Sequence, residues 1–181
     1  MAYPIRTATT DDVPALAALI ARSARALSTA YYRAEQVEGA LAGAFGVDSQ
    51  LIADGTYYVV EVGSRVVVGG GWSYRRTLFG GDAHANRDEG TLDPAADAAK
   101  IRAFFIDPDY ARRGIGRALL AHCEAAAHAR GFRGFELMAT LPGVPLYRAC
   151  GYEPGETLHF PVTADVTIEF VPMRKGLVRR P

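Results

Sequence analysis

The stretch Ile101-Arg102-Ala103-Phe104-Phe105-Ile106-Asp107-Pro108-Asp109, followed by Tyr110-Ala111-Arg112-Arg113-Gly114-Ile115-Gly116-Arg117-Ala118-Leu119-Leu120, constrains this chain more than any other. Its first six residues are mostly aromatic or β-branched and read as a strand. Asp107-Pro108-Asp109 ends that strand. From Gly114 the apolar residues Ile115, Ala118, Leu119, Cys123 and Ala126 return at helical spacing, and Gly131 stops the helix after Arg130. Any fold must therefore hold a strand, a turn and a helix that begins on glycine.

A helix start carries backbone N–H groups with no acceptor, and the helix dipole adds positive potential there. Together they attract an anion. Gly114 and Gly116 remove side chains that would hold a phosphate away from the backbone, and Arg112, Arg113 and Arg117 add charge. The pattern excludes a Walker loop, because no Gly-Lys-Ser/Thr follows. It also lacks the third glycine of a dinucleotide fingerprint, since Leu119 stands there. A plain strand-to-helix connection with surface arginines remains open on these residues alone.

The rest of the chain reads as follows. Ile5 to Ala8 is a short strand, and Thr9-Thr10-Asp11-Asp12 with Pro14 starts a helix carrying Val13, Leu16, Ile20, Ala24 and Leu27. A weaker helix covers Ala34 to Ala44. Tyr57 to Val62 and Arg65 to Val68 form a hairpin about Gly63-Ser64, the second strand continuing through Gly69-Gly70-Gly71 to Tyr74, and three glycines inside it signal a bulge or a close backbone approach. Thr77 to Ala99 reads as an irregular loop with the acids Asp82, Asp88, Glu89, Asp93 and Asp97. Phe135 to Thr140 is a strand, Val144 to Ala149 a short helix, and Thr157 to Val162 and Val166 to Met173 two closing strands. No linker or repeat divides residues 1–181, so one domain is expected.

Composition narrows the functions. The 181 residues are 49% hydrophobic and 22% charged with a formal net charge of zero. A folded core is expected and a general nucleic-acid binder is not. No apolar run is long enough for a membrane helix, and the N-terminus lacks a signal-peptide pattern. Two cysteines, Cys123 and Cys150, are too few for a disulfide framework and read as buried small hydrophobes; a reduced, cytoplasmic setting is expected. His122 and His128 lie six apart on one helix, not on one face, and no metal site is expected.

Ala111-Arg112-Arg113-Gly114-Ile115-Gly116 resembles the cofactor motif of the GNAT superfamily of acetyl-CoA-dependent N-acetyltransferases, Gln/Arg-x-x-Gly-x-Gly/Ala after a strand. It departs at the first position, where Ala111 replaces Gln or Arg. Leu146-Tyr147-Arg148-Ala149-Cys150-Gly151-Tyr152 is similar to the family's Phe-Tyr-x-x-x-Gly-Phe segment, and the element order fits over nearly the whole chain. The resemblance implies a single α/β domain of the α+β type: a mixed, mostly antiparallel sheet of six to seven strands flanked by helices, splayed between Ile101–Ile106 and Phe135–Thr140. It implies acetyl-CoA as cosubstrate, with pantetheine against Phe104, Phe105 and Ile106. The pyrophosphate would lie at Arg112, Arg113, Gly114, Ile115, Gly116, Arg117 and Ala118, on the N–H groups of Arg113, Gly114, Gly116, Arg117 and Ala118. It implies Tyr147 as the group meeting the leaving sulfur, a small-molecule or peptide amine as acceptor, and possible homodimerisation.

An alkylamine of pKa about 10.4 costs about 4.6 kcal/mol to hold neutral at pH 7. The glutamate that some family members place on the motif strand is missing, so a base cannot be carried over. Asp93, Asp97, His84 and His159 are candidates by residue type only. The acidic loop hints at a cationic acceptor. A catalytically silent acyl-CoA-binding module is the competing function.

Overall fold

A computed structural model describes residues 3–84, 87–88 and 90–176. The signal-peptide reading of the first two residues and the loop acid Glu89 fall outside the described residues. The elements run β1 (Ile5–Thr7), α1 (Val13–Leu27), α2 (Ala34–Leu41), α3 (Ser49–Ala53), β2 (Tyr57–Val62), β3 (Arg65–Ser73), β4 (Ala99–Ile106), α4 (Ile115–Ala129), β5 (Phe135–Thr140), α5 (Val144–Ala149), β6 (Glu153–Pro154), β7 (Leu158–Pro161) and β8 (Thr167–Lys175). They form one sheet in the order β1-β2-β3-β4-β5-β8-β6, with β7 also on β8. Only the β4–β5 pair is parallel. The mixed, mostly antiparallel sheet is as expected, and among the described residues it has eight strands where six or seven are expected. The additional one, β6, is two residues long and has no periodicity to read.

Alternation along β2 decides which helix packs where. Tyr57 and Val59 bury themselves with Leu16 and Leu19 of α1 and Leu51 of α3, while Tyr58 and Val60 face a cluster with Leu119, Cys123 and Ala127 of α4. Leu16, Leu19 and Leu119 are wholly buried, each worth about 1.5–3 kcal/mol. The start of α1 is fixed by Asp12, which accepts from the Thr9 N–H at 2.7 Å and from both terminal nitrogens of Arg6 at 2.8 and 2.7 Å. Those Arg6 hydrogen bonds hold the Asp12 carboxyl down at about 2.

The glycine run of β3 serves β4. Pairing slips between Gly69 and Gly71, so Gly69 faces Phe105 and Gly71 faces Arg102. The extra residue on β4 bulges out, with Ala103 at φ 56°. A β-carbon on Gly70 would lie 2.6 Å from the Phe104 ring, so glycine there makes room for the ring that the bulge throws inward. The expected bulge and the expected close approach are both present.

Candidate active site

β4 and β5 pair only at Ala99↔Phe135 and Lys100↔Glu136. Beyond Lys100 they part, and the bulge at Ala103 turns β4 away. The half of β4 carrying Phe104, Phe105 and Ile106 therefore keeps an edge without a β5 partner. Along that edge the Ile106 N–H donates to Ser23 Oγ of α1 at 3.2 Å.

The chain leaves β4 through Pro108–Tyr110 and enters α4 along a curled loop. Arg112 has φ 64° and Gly114 φ 80°, both left-handed. The first helical bond runs from the Ala118 N–H to Gly114 O at 3.1 Å. Ala118 is therefore not among the free donors. The N–H groups of Arg112 through Arg117 donate to no described residue. Curled left-handed backbone of this kind gathers N–H groups into an anion-binding concavity. Arg112, Arg113 and Arg117 are exposed and pair with no described carboxylate, and Arg113 stacks over Tyr110 at 5.0 Å. Ile115 offers only its N–H, its side chain being in the core.

Gly116 has a second duty. It is buried, and a β-carbon there would lie 2.6 Å from Ile106 Cδ1 and 3.5 Å from Leu146 Cδ2. It lets the helix start sit against the unpaired end of β4 and against α5. Gly114 faces open space and needs only the left-handed backbone.

α5 delivers Tyr147 into the split. The ring is buried, with its centroid 6.4 Å from Phe104 and 5.8 Å from Tyr152. Its hydroxyl hydrogen-bonds to no described residue, and burial raises its pKa well above the usual phenol value. The phenol is thus neutral at ordinary pH. Tyr147 lines a cavity of about 70 Å³ together with Ile101 to Phe105 of β4 and Met138 and Thr140 of β5. Phe45, Phe79 and Phe170 also line it, as do Gly46 and Gly81. A β-carbon on Gly81 would lie 2.7 Å from Gly46 Cα, so the two loops touch backbone to backbone.

The expected bases do not gather here. His159 is exposed on β7, and Asp93 and Asp97 belong to a surface turn in which Asp97 Oδ2 accepts the Asp93 N–H at 2.8 Å. Among the four only His84 adjoins the cavity, against Phe79 at 4.9 Å; burial, then Arg87 and Arg102, lower its pKa. The described loop acids point elsewhere as well. Asp82 holds Ser49, and Asp88 takes the Gly90 N–H. Among the described residues the cationic-acceptor hint therefore has no carboxylate in the wall behind it.

Residues absent from the sequence reading do gather here. Asp48, wholly buried, pairs with Arg102 at 2.6 Å and with Arg87 at 2.8 Å. Arg102 donates to Gly80 O at 2.6 Å and Arg87 to Gly81 O at 3.0 Å. This cluster ties the 77–90 loop and the α2–α3 connection to β4. The one signal in the sequence was an arginine inside the apolar run of β4.

Among the described residues no group of His, Cys, Asp or Glu could hold a metal ion, and Cys123 and Cys150 are unbonded. His122 instead packs on Tyr58, and His128 Nδ1 lies 2.7 Å from Phe132 O. No helix of the described residues is long and apolar enough to cross a membrane.

The family model for the acetyltransferase (GNAT) domain matches residues 53–154, which include the split, the loop and Tyr147. The chain belongs to the GNAT acetyltransferase family. Solved structures agree on the GNAT fold. A GCN5-related N-acetyltransferase structure from Rhodopseudomonas palustris has TM-score 0.71 at 19% identity, covering 98% of this chain and 97% of that one. PaiA N-acetyltransferase from Thermoplasma acidophilum, in complex with coenzyme A, has TM-score 0.65 at 14% identity, with 98% and 100% covered. A putative acetyltransferase from Salmonella typhimurium, with its cofactor acetyl-CoA, has TM-score 0.63 at 15% identity, with 100% and 97% covered. Comparison with curated proteins finds no match. Membership of the GNAT family carries acyltransferase activity; the acceptor is not fixed by it.

Proposed function

We propose that the chain is one acyltransferase domain that moves the acetyl group of acetyl-CoA to a primary amine by direct attack on the thioester. The observation that supports this most is the run of unpaired N–H groups from Arg112 to Arg117, flanked by three unpaired arginines, at the mouth of a split sheet that holds Tyr147. A pyrophosphate fits that loop in charge and in donor type. Bound acetyl-CoA supplies an activated acyl group. The unpaired edge of β4 at Phe104 and Phe105 and the gap beside it suit an extended amide-bearing arm, and Ser23 already serves Ile106.

The chain's own residues account for two needs of the transfer. The Tyr147 hydroxyl, neutral and without an internal partner, donates a proton or hydrogen bond where the leaving sulfur gains charge. With a thiol near 8.5 and an unperturbed tyrosine near 10, full transfer is already uphill by about 2 kcal/mol, and burial of Tyr147 adds to that, so the hydrogen bond carries the benefit. The apolar wall desolvates the amine and lowers its pKa, which favours the neutral, attacking form. A cytoplasmic setting belongs to the same reading and is supported by the two unbonded cysteines.

Isothermal calorimetry with CoA, joined to thiol release from acetyl-CoA with amines, tests the proposal. One site per chain and amine-dependent thiol release are expected. No heat and no thermal shift at millimolar CoA would refute it, whereas binding without turnover on any amine would leave a silent acyl-CoA-binding module.

A further inference from the structure

In the cavity beside Tyr147, Phe45, Phe79, Phe105, Phe170 and Met138 supply aromatic and thioether surface next to the polar groups of Thr140, Tyr147 and Arg102, and among the described residues no carboxylate lines it. Arg102 is the one side chain of the wall that carries charge, and that charge is spent internally. Its terminal NH2 group pairs with Asp48 and donates to Gly80 O, while its Nε is buried without a hydrogen-bond partner among the described residues. Arg87 pairs with Asp48 at 2.8 Å and stands 3.9 Å from Asp82. Two arginines thus face two aspartates, and the cluster presents no net charge to a bound molecule.

Resting on the proposed N-acetyltransferase function, we infer that the acceptor is a compact primary amine whose body is uncharged and apolar. A second ammonium would be buried against aromatic surface with no carboxylate among the described lining residues, and an acceptor carboxylate would find the guanidiniums of Arg87 and Arg102 already paired with Asp48. Either loses hydration without compensation. An amine with an apolar body fills the same wall favourably, and its own ammonium is the one charge to be shed, which that wall promotes. The cavity is about 70 Å³, around half of the roughly 150 Å³ that accepts benzene. Phe104, Phe105 and Tyr147 line the same space, so the acyl end of the donor takes part of it and the acceptor's body must be small.

The test is a thiol-release panel with acetyl-CoA and five probes: isobutylamine, benzylamine, 1,4-diaminobutane, 4-aminobutyrate and the dipeptide Ala-Gly. CoA binding is measured separately by calorimetry. The expected result is kcat/KM for the better apolar amine at least about 100-fold above that of each charged probe, the scale on which an unpaired buried charge is rejected. Phe79→Ala should raise KM for that amine about 10-fold, as lost apolar contact does, with KM for acetyl-CoA unchanged. Met138→Glu, at a half-buried position, should narrow the gap to 1,4-diaminobutane by about 10-fold by supplying the missing partner. With CoA binding intact, a preference for any charged probe, no turnover on any probe, or a Phe79→Ala effect on KM for acetyl-CoA instead of the amine would each overturn the inference. Absence of CoA binding would overturn the proposed function and this inference with it.

Discussion

Five arginines of this chain stand within a short distance of the split sheet in two contrasting settings. Arg112, Arg113 and Arg117 are exposed and meet no described carboxylate; Arg87 and Arg102 are largely buried and share Asp48. The first group lies along a backbone whose N–H groups are equally unpaired, and the second lies along carbonyls, Gly80 O and Gly81 O, that it satisfies. Where the fold supplies partners, charge serves architecture. Where it withholds them, side chains and backbone alike, the surface is prepared for something from outside.

That contrast breaks most visibly at Asp48. Asp48→Ala strands Arg102 in the interior and should cost about 3–5 kcal/mol, read by urea unfolding. An unchanged midpoint would mean that the cluster is no anchor. Tyr147 belongs with the unpartnered groups, so Tyr147→Phe leaves no orphan behind. Its melting temperature should hold while kcat falls about 100-fold; a lowered melting temperature with unchanged kcat would assign the residue to packing.

The two motif glycines sharpen the comparison further. Gly116→Ala drives a β-carbon toward Ile106 Cδ1 and should cost about 1–3 kcal/mol as overpacking. Gly114→Ala meets open space and should cost only about 1 kcal/mol, from its left-handed backbone. Equal losses in thermal melts would contradict that division of labour. The smallest effect belongs to Arg117→Ala. CoA affinity should fall about 2- to 5-fold, consistent with an exposed ion pair, and the loss should shrink with added salt. The stability of the ligand-free protein should not move.

Much of this was legible in the sequence, for reasons that also explain the gaps. The helix beginning on Gly114 runs Ile115–Ala129, the β2–β3 hairpin turns at Gly63, and α5 covers Val144–Ala149 as read. Glycines, proline and repeating apolar positions mark such elements locally. α3, five residues long, shows too few turns for a period to appear. The bulge at Ala103 carries no local mark, because its left-handed residue is an alanine and its cause lies across the ladder in the β3 glycines. The Asp48–Arg87–Arg102 cluster joins three distant stretches, and only the tertiary fold brings them together. For the same reason the partners of Asp82 and Asp88 could not be read from the loop's own residues.

The split between β4 and β5 also makes the stability of this protein a property of its surroundings. A molecule that takes up the N–H groups of Arg112 to Arg117 and fills the gap binds the folded chain and not the unfolded one, where neither exists. Under the proposed function, CoA at a hundred times its dissociation constant adds about 2.7 kcal/mol to the unfolding free energy, and each further tenfold adds about 1.4 kcal/mol. The chain's lifetime against unfolding and proteolysis then follows the cell's supply of acyl donor, so that a lean metabolic state thins the population of the enzyme as well as slowing its turnover.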